Sequence, residues 1–172
     1  LLAWSENNTY VDTVIFAKST PYQRIVITRE AGDLRLYLNG NLQFSSRDEY
    51  RYHEALVHPG LARLNQPRDV LVLGGVDGIA VRELLKYPTI TNITLVDLDP
   101  EMTHLFSTQE MLKEINDDAL LSPRVHVTNA DAFTWLQSNT NQYDFIVADF
   151  PDPSNFSLGK LFTTAFYGRV RP

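Results

Sequence analysis

The stretch VLVLGGVDGIAVRELL, residues 70–85, decides the fold. Its first half is an apolar run of the kind that forms a buried strand, and its second half places apolar residues at helical spacing. Residues 74–78, Gly-Gly-Val-Asp-Gly, separate the two halves. A strand, a glycine-rich turn and a helix in this order are typical of open α/β sheets that bind nucleosides or nucleotides at the turn. The loop is not a complete G-x-G-x-x-G and lacks the Walker lysine, and Asp77 adds a carboxylate that would repel a phosphate.

Apolar runs alternate with helical patterns in the rest of the chain after residue 68. We predict strands near 69–73, 92–97, 124–128 and 143–148, and helices near 79–87, 100–114, 131–138 and 158–168. This alternation indicates βαβ units, and therefore a parallel, Rossmann-like sheet with helices on both faces.

Residues 12–44 have a different pattern, with short alternating strands joined by turn-rich segments. Asn39-Gly40 predicts a two-residue hairpin turn. Ser46 and Glu49 have capping-box spacing, which predicts a helix from Ser46 to Val57. We therefore predict a small antiparallel β-domain over residues 1–45 and an α/β domain over residues 46–172. Because the chain opens without Met and stops soon after a helical pattern, we expect a fragment that is truncated at its C-terminus.

Composition excludes several classes of protein. The 172 residues are 44% hydrophobic, which suffices for one sizeable core. With 15 basic against 21 acidic residues, the chain lacks the basic face of a nucleic-acid binder and can accommodate cationic ligands. The absence of cysteine excludes disulfides and thiolate chemistry and favours a reducing compartment. The four histidines do not have metal-ligand spacing, so we expect no metal site. No apolar stretch has the length of a membrane span, so we expect no membrane contact by this chain.

Aspartates follow all four predicted strands of the parallel sheet. The four segments are Gly74-Gly75-Val76-Asp77-Gly78, Asp97-Leu98-Asp99-Pro100, Asn129-Ala130-Asp131 and Asp149-Phe150-Pro151-Asp152-Pro153. Any one of these aspartates, taken alone, fits a helix cap or a turn. Together they would gather at one edge of the sheet, where carboxylates repel each other unless a cation or hydrogen-bond donors share the site. We therefore expect a cationic ligand.

Asp97 also indicates a nucleoside. It lies 20 residues beyond Asp77, at the end of the second strand, where an acidic residue accepts hydrogen bonds from ribose hydroxyls. A nucleoside that bears positive charge, such as a sulfonium, satisfies both Asp97 and Asp77.

Several motifs in order resemble the spermidine synthase family, the polyamine aminopropyltransferases. They are YQRIVI, LRLYLNGNLQFSSRDEYRYHEALVHP, VLVLGGVDGIAVREL, VDLDP, NADAF and YDFIVADFPDP, spread from about Tyr10 to about Tyr167. The resemblance implies a small N-terminal β-domain followed by a methyltransferase-like Rossmann domain. It implies aminopropyl transfer from decarboxylated S-adenosylmethionine, as cosubstrate, to a diamine such as putrescine, giving spermidine and methylthioadenosine.

The resemblance also implies roles for individual residues. The nucleoside pocket would include Gln23, Leu38, Gln43, His53, Gly74, Gly75, Gly78 and Ala132, with Asp97 at the ribose and Asp131 at the adenine amino group. Tyr52 and His53 would lie beside the aminopropyl group and the amine. Asp77 would hold the aminopropyl ammonium. Asp149 would take the proton of the amine, with Asp152 in the same loop.

In water, the pKa of Asp149, the expected base, would be too low for it to take a proton from a diamine. A diamine has a pKa near 10, whereas an ordinary carboxylate has a pKa of about 4. We expect burial beneath Phe150 and Pro151, with repulsion from Asp77 and Asp152, to raise the pKa of Asp149. Val76 departs from the family, which usually has a third glycine there, and its β-branched side chain is expected to crowd the cosubstrate or distort the loop.

Two other classes of function remain open on the sequence. An S-adenosylmethionine-dependent methyltransferase would share the sheet, the loop and Asp97, although Asp77 and the DFPDP loop argue against it. The second open class is a noncatalytic module that binds a nucleoside or takes part in assembly. We further expect a homo-oligomer through the N-terminal β-domain, because hairpin edges tend to pair. We expect a cytoplasmic location. The alternative is that this chain is the soluble domain of a longer, membrane-tethered protein.

Overall fold

The computed structural model describes residues 10–153 and 156–170. The chain divides into two compact units, 1–52 and 53–172. The division falls inside the first helix, and the boundary expected after residue 45 stays a prediction.

An antiparallel sheet of four strands forms the first unit, in the order β1-β2-β3-β4. The strands are β1 (Thr13–Ser19), β2 (Arg24–Glu30), β3 (Asp33–Leu38) and β4 (Asn41–Ser45). The predicted hairpin turn is present, with Asn39 and Gly40 at φ 52° and 81°, the positive values that a two-residue turn requires. Buried apolar residues of β2 and β3, among them Ile25, Ile27 and Leu36, form the core of this sheet.

The predicted capping box is wrong. Helix α1 spans Glu49–Leu61, so it begins three residues after Ser46. The Ser46 hydroxyl instead serves the sheet: it accepts a hydrogen bond from the Leu34 N–H at 2.9 Å and donates one to Asp33 at 3.1 Å. The helix also continues past Val57, with Pro59 inside it.

The second unit contains a parallel sheet in the order β7-β6-β5-β8. Its strands are β5 (Asp69–Gly74), β6 (Asn92–Asp97), β7 (Val125–Asn129) and β8 (Phe145–Asp149). Its remaining helices are α2 (Ile79–Leu85), α3 (Pro100–Thr108), α4 (Glu110–Asn116), α5 (Ala132–Ser138), α6 (Phe156–Gly159) and α7 (Thr164–Val170), with 3₁₀ turns at Ala119–Leu121 and Lys160–Phe162. The predicted fold class, an antiparallel sheet followed by a parallel α/β sheet, is confirmed.

Two predicted helices are interrupted. The segment predicted as one helix over 100–114 breaks at Gln109, whose backbone is extended at φ −78° and ψ 118°. The buried residues Met102, Leu105 and Leu112 keep helical phase across the break, which is why the pattern indicated a single helix. The last predicted helix, 158–168, is likewise divided at Thr163, where the backbone is again extended.

Between residues 10 and 170, with residues 154 and 155 left aside, no helix combines the length and the apolar character that crossing a membrane requires.

Candidate active site

The parallel sheet brings the aspartate-bearing segments to one edge. All three pairings within the sheet are parallel, so the carboxyl ends of its four strands point the same way. Gly74 at the end of β5 is the register partner of Asp149 at the end of β8. Asp97 at the end of β6 is the partner of Asn129 at the end of β7.

The glycines of the loop after β5 let it pack tightly against β8. Gly74 and Gly75 have φ values of 78° and 66°, in the left-handed region that favours glycine. A Cβ on Gly74 would lie 2.1 Å from the carbonyl oxygen of Asp149, and one on Gly75 would lie 2.7 Å from its Oδ2. The close approach of the Asp149 backbone therefore requires glycine at position 74, whereas a Cβ at position 75 would push against the Asp149 side chain.

Val76 fits this loop. Its side chain is 3% exposed, and its φ is not among the positive values found at the neighbouring glycines. A third glycine is therefore not needed at this position for backbone geometry, and the expected distortion of the loop by Val76 is wrong.

Asp77 is held by the helix that follows the loop. One of its carboxylate oxygens accepts a hydrogen bond from the Ile79 N–H at 2.9 Å, at the start of α2. Its carbonyl oxygen accepts from the side-chain amide of Asn116 at 2.8 Å. Asn116 is fully buried and also donates to the Phe106 carbonyl at 3.0 Å, so it ties the loop to the α3–α4 segment. Sequence reasoning missed Asn116, because no motif marks it.

Asp77, Asp149 and His53 form the centre of the site. One ligand atom of each lies within 4.8 Å of those of the other two. His53 Nε2 lies 4.0 Å from Asp149 Oδ2, and the two side chains are only 4% and 11% exposed. Two carboxylates and an imidazole at this spacing can bind an organic ammonium or a metal ion, and either carboxylate can accept a proton from a bound amine.

A second group, Glu54, His58 and Glu83, has similar spacing but different chemistry. The fully buried Glu83 carboxylate is bonded to His58, Arg82 and Lys86 at 3.0, 3.0 and 2.5 Å. Its charge is therefore already compensated by neighbouring side chains.

Asp97 lies half-buried at the end of β6. Withdrawal from solvent raises its pKa to about 6, with the nearby carboxylates of Asp77, Asp99 and Asp149 acting in the same direction. A hydrogen bond from the Asp99 N–H at 2.9 Å opposes this effect. Asp99 itself is 2% exposed and caps α3 by accepting from the Glu101 N–H, so its role in the structure is that of an N-cap.

Asp131 lies at the end of the segment after β7, where it caps α5. Its Oδ1 accepts a hydrogen bond from the Thr134 N–H at 2.9 Å, and its Oδ2 is 2.5 Å from Lys160 Nζ. Burial works against the charged form, but these bonds and the Lys160 charge hold the pKa of Asp131 below its usual value. Sequence reasoning missed Lys160, which lies 29 residues away along the chain.

The other expected site residues are placed as follows. Asp152 is exposed in the loop after β8, and Ala132 is buried at the start of α5. In the first unit, Leu38 ends β3, Gln23 precedes β2, and the Gln43 amide donates to the Asn41 carbonyl at 3.0 Å. Tyr52, in the part of α1 that belongs to this unit, is 53% exposed. The roles assigned to these residues stay predictions.

A parallel sheet with a glycine loop, an acid at the end of its second strand and a carboxylate pair beside the loop is the arrangement typical of nucleoside-binding α/β domains. The Spermine/spermidine synthase domain family matches residues 49–171, and the chain belongs to this family.

Relatives and solved structures agree with this membership. The chain is 59% identical to polyamine aminopropyltransferase 2 of Ralstonia nicotianae over 97% of its own length and 33% of the relative's. It is 56% identical to the polyamine aminopropyltransferase of Leptospira interrogans, over 98% of this chain and 34% of that one. A crystal structure of spermidine synthase with the transition-state analogue AdoDATO matches with a TM-score of 0.84 at 29% identity, covering 92% of this chain and 53% of that one. The chain thus spans about a third of the curated relatives it matches.

Proposed function

We propose that the protein carrying this sequence transfers an aminopropyl group from decarboxylated S-adenosylmethionine to a diamine such as putrescine. The observation that carries the proposal is the cluster of Asp77, Asp149 and His53 beside the glycine loop. Two adjacent carboxylates make a site favourable for a cation, and both substrates of this reaction are cations. The names of the relatives support the same reaction class.

The strand ends accommodate the nucleoside part of the cosubstrate. Asp97 accepts hydrogen bonds from the ribose hydroxyls, and Asp131 accepts one from the adenine amino group. The resemblance to the family assigns Gln23, Leu38 and Gln43 to nucleoside binding as well.

Asp149 acts as the base. A protonated amine has no lone pair, so its proton passes to the Asp149 carboxylate before the nitrogen attacks. The amine nitrogen then forms a bond to the propyl carbon next to the sulfonium. The carbon–sulfur bond breaks, its electron pair stays on sulfur, and neutral methylthioadenosine leaves. Tyr52, His53 and Asp152 align the amine for this displacement.

Asp77 selects the cosubstrate. Decarboxylated S-adenosylmethionine ends in an ammonium alone, whereas ordinary S-adenosylmethionine also carries a carboxylate. A carboxylate brought near Asp77 would be repelled, and this repulsion favours the decarboxylated form.

The test is a product assay on the full-length protein. Decarboxylated S-adenosylmethionine and putrescine are supplied together, and methylthioadenosine and spermidine are separated chromatographically. We expect equal molar amounts of the two products and no methylation when ordinary S-adenosylmethionine replaces the cosubstrate. Methyl transfer to an acceptor would favour a methyltransferase, and nucleoside binding without turnover would favour a noncatalytic module.

The expected assembly and location belong to the same proposal. A homo-oligomer would form through the N-terminal β-domain, where strand edges can pair. The absence of cysteine supports a cytoplasmic, reducing environment for the catalytic part.

A further inference from the structure

Lys160 and Asp131 form an ion pair between two separate segments of the second unit. Lys160 begins the 3₁₀ turn that directly follows α6, and Asp131 precedes α5. Lys160 Nζ lies 2.5 Å from Asp131 Oδ2, and the two side chains are 34% and 30% exposed. The pair is therefore partly shielded from solvent, where a charge-assisted hydrogen bond is stronger than on an open surface.

Both oxygens of Asp131 are held. Oδ2 contacts Lys160, and Oδ1 accepts from the Thr134 backbone at 2.9 Å. The next residue after Lys160, Leu161, is buried, which anchors the lysine's backbone in the apolar cluster that also holds the fully buried Phe166. The carboxylate thus has a fixed orientation that two different segments of the chain determine.

An ionised carboxylate is only an acceptor, and each of its oxygens can accept more than one hydrogen bond. The bonds to Lys160 and Thr134 therefore leave acceptor capacity for a ligand's N–H group. The same carboxylate repels a carbonyl oxygen. A carboxyl group that is protonated or free to rotate would discriminate less, because its O–H can donate to a carbonyl.

We propose that Lys160 is a positioning residue that orients the Asp131 carboxylate toward the nucleobase and so makes the site select a 6-amino purine over a 6-oxo purine. This inference rests on the proposed function, since it takes a purine nucleoside as the ligand. Lys160 acts through Asp131 and does not contact the reacting atoms. Lys160 lies after α6, 11 residues beyond Asp149, so this role makes nucleobase selection depend on the chain segment C-terminal to the proposed base.

The test compares two nucleosides on the full-length protein. Calorimetric titration gives the dissociation constants of 5′-methylthioadenosine and 5′-methylthioinosine, which differ at the 6-position of the purine. Wild-type protein should prefer the amino compound by about tenfold or more, the range for a hydrogen bond to a charged group. Lys160→Met should reduce this preference at least about fivefold, and Lys160→Arg, which retains the charge and the donor, should restore most of it.

Lys86→Met is the matched control. Lys86 also makes a 2.5 Å ion pair, with Glu83, so the variant removes one lysine charge elsewhere in the same unit. Its amino-to-oxo preference should equal that of the wild type. A ratio of two constants measured on the same sample does not change when a fraction of the protein is unfolded.

The titrations distinguish a wrong role for Lys160 from a wrong proposed function. If Lys160→Met left the ratio of the two dissociation constants unchanged, for example by weakening the binding of both nucleosides equally, the role of Lys160 would be overturned. The proposed function would remain intact. Failure of the wild type to bind methylthioadenosine at all would overturn the proposed function and this inference with it.

Discussion

A carboxylate in a glycine loop is informative because such loops more commonly approach phosphates. A carboxylate oxygen of Asp77 lies within 4.8 Å of ligand atoms of Asp149 and His53. Burial raises the pKa of Asp97, and the charges of Asp77, Asp99 and Asp149 act in the same direction. Carboxylates gathered in this way repel each other less when a cation lies among them, which is why we propose a cationic ligand. A pyrophosphate would add to the repulsion, which argues against dinucleotides.

The pKa of Asp97 predicts how nucleoside binding depends on pH. In the proposed complex, ribose hydroxyls donate to the ionised Asp97 carboxylate, and this carboxylate takes up a proton as the pH falls through about 6. Affinity for methylthioadenosine should therefore be constant above that pH and fall below it, by about tenfold between about pH 7.5 and about pH 5. Calorimetric titration over this range measures the effect.

Asp97→Asn is the control for this prediction. The amide does not titrate, so its weaker binding should be independent of pH over the same range. A wild-type affinity that stays level down to pH 5 would show that Asp97 is ionised throughout or does not contact the ribose.

Asp149 and Asp77 should have separable roles. Asp149→Asn should lower the rate constant of transfer by about 10² to 10⁴, the usual contribution of a general base. Asp77→Asn should weaken binding of the decarboxylated cosubstrate by about 2 to 5 kcal/mol, the range for breaking a buried charge pair. Single-turnover kinetics and titration with the cosubstrate measure the two effects.

Methylthioadenosine provides the internal control, because it lacks both the amine and the aminopropyl group. Its affinity should be nearly unchanged in Asp149→Asn and in Asp77→Asn. Full activity of Asp149→Asn would exclude this residue as the base, and a wild type that binds ordinary S-adenosylmethionine more tightly would exclude the selective role of Asp77.

At the residue scale, the sequence predicted the acidic residues at the strand ends but not the residues that hold them in place by hydrogen bonds. Asp77, Asp97, Asp131 and Asp149 follow strands whose carboxyl ends must meet, so strand pattern alone places them at one edge. Lys160 and Asn116 reach the site from segments that are distant along the chain and carry no motif. Their contacts depend on how α4 and the 3₁₀ turn after α6 pack, which residue spacing does not encode.

At the scale of elements, the loop after β5 and the end of β8 act as one unit. Gly75→Ala would place a methyl group 2.7 Å from Asp149 Oδ2 and would displace that side chain. Transfer activity should therefore fall by about tenfold or more, since small misplacements of a catalytic group are costly. Steady-state kinetics together with urea unfolding separates this effect from lost stability.

Gly32→Ala is the matched control. Gly32 has φ 82°, comparable to 66° at Gly75, but a Cβ there meets nothing within 4 Å. This variant should lose about 1 kcal/mol of stability from backbone strain and retain activity. If Gly75→Ala and Gly32→Ala had the same small effect on turnover, the contact with Asp149 would not matter for catalysis.

Element types were more predictable than element boundaries. The strand–loop–helix of residues 70–85 and the Asn39-Gly40 hairpin follow from local pattern, and the structure contains both. The break at Gln109 does not, because the buried residues on either side of it remain in helical phase. The Ser46 capping box failed because the Ser46 hydroxyl bonds to β3 instead of α1. Long-range hydrogen bonds of this kind override a local signal.

At the scale of the whole molecule, the outer strands of the first sheet are candidates for contact with another copy of the chain. In the described part of that sheet β1 and β4 are the outermost strands, and they carry the exposed apolar residues Ile15 and Leu42, 39% and 52% exposed. Exposed strands with apolar side chains tend to pair with other chains. This arrangement supports assembly of copies through the first unit.

We therefore expect the full-length protein to be a homo-oligomer at micromolar concentration. A double variant, Ile15→Lys with Leu42→Lys, places charges on both outer strands and should shift the protein toward the monomer. Leu121→Lys, at a 56% exposed leucine of the second unit, is the matched control and should leave the mass unchanged. Size-exclusion chromatography with light scattering measures all three. A monomeric wild type would refute assembly, and an oligomer that survives the double variant but dissociates in Leu121→Lys would assign the interface to the second unit.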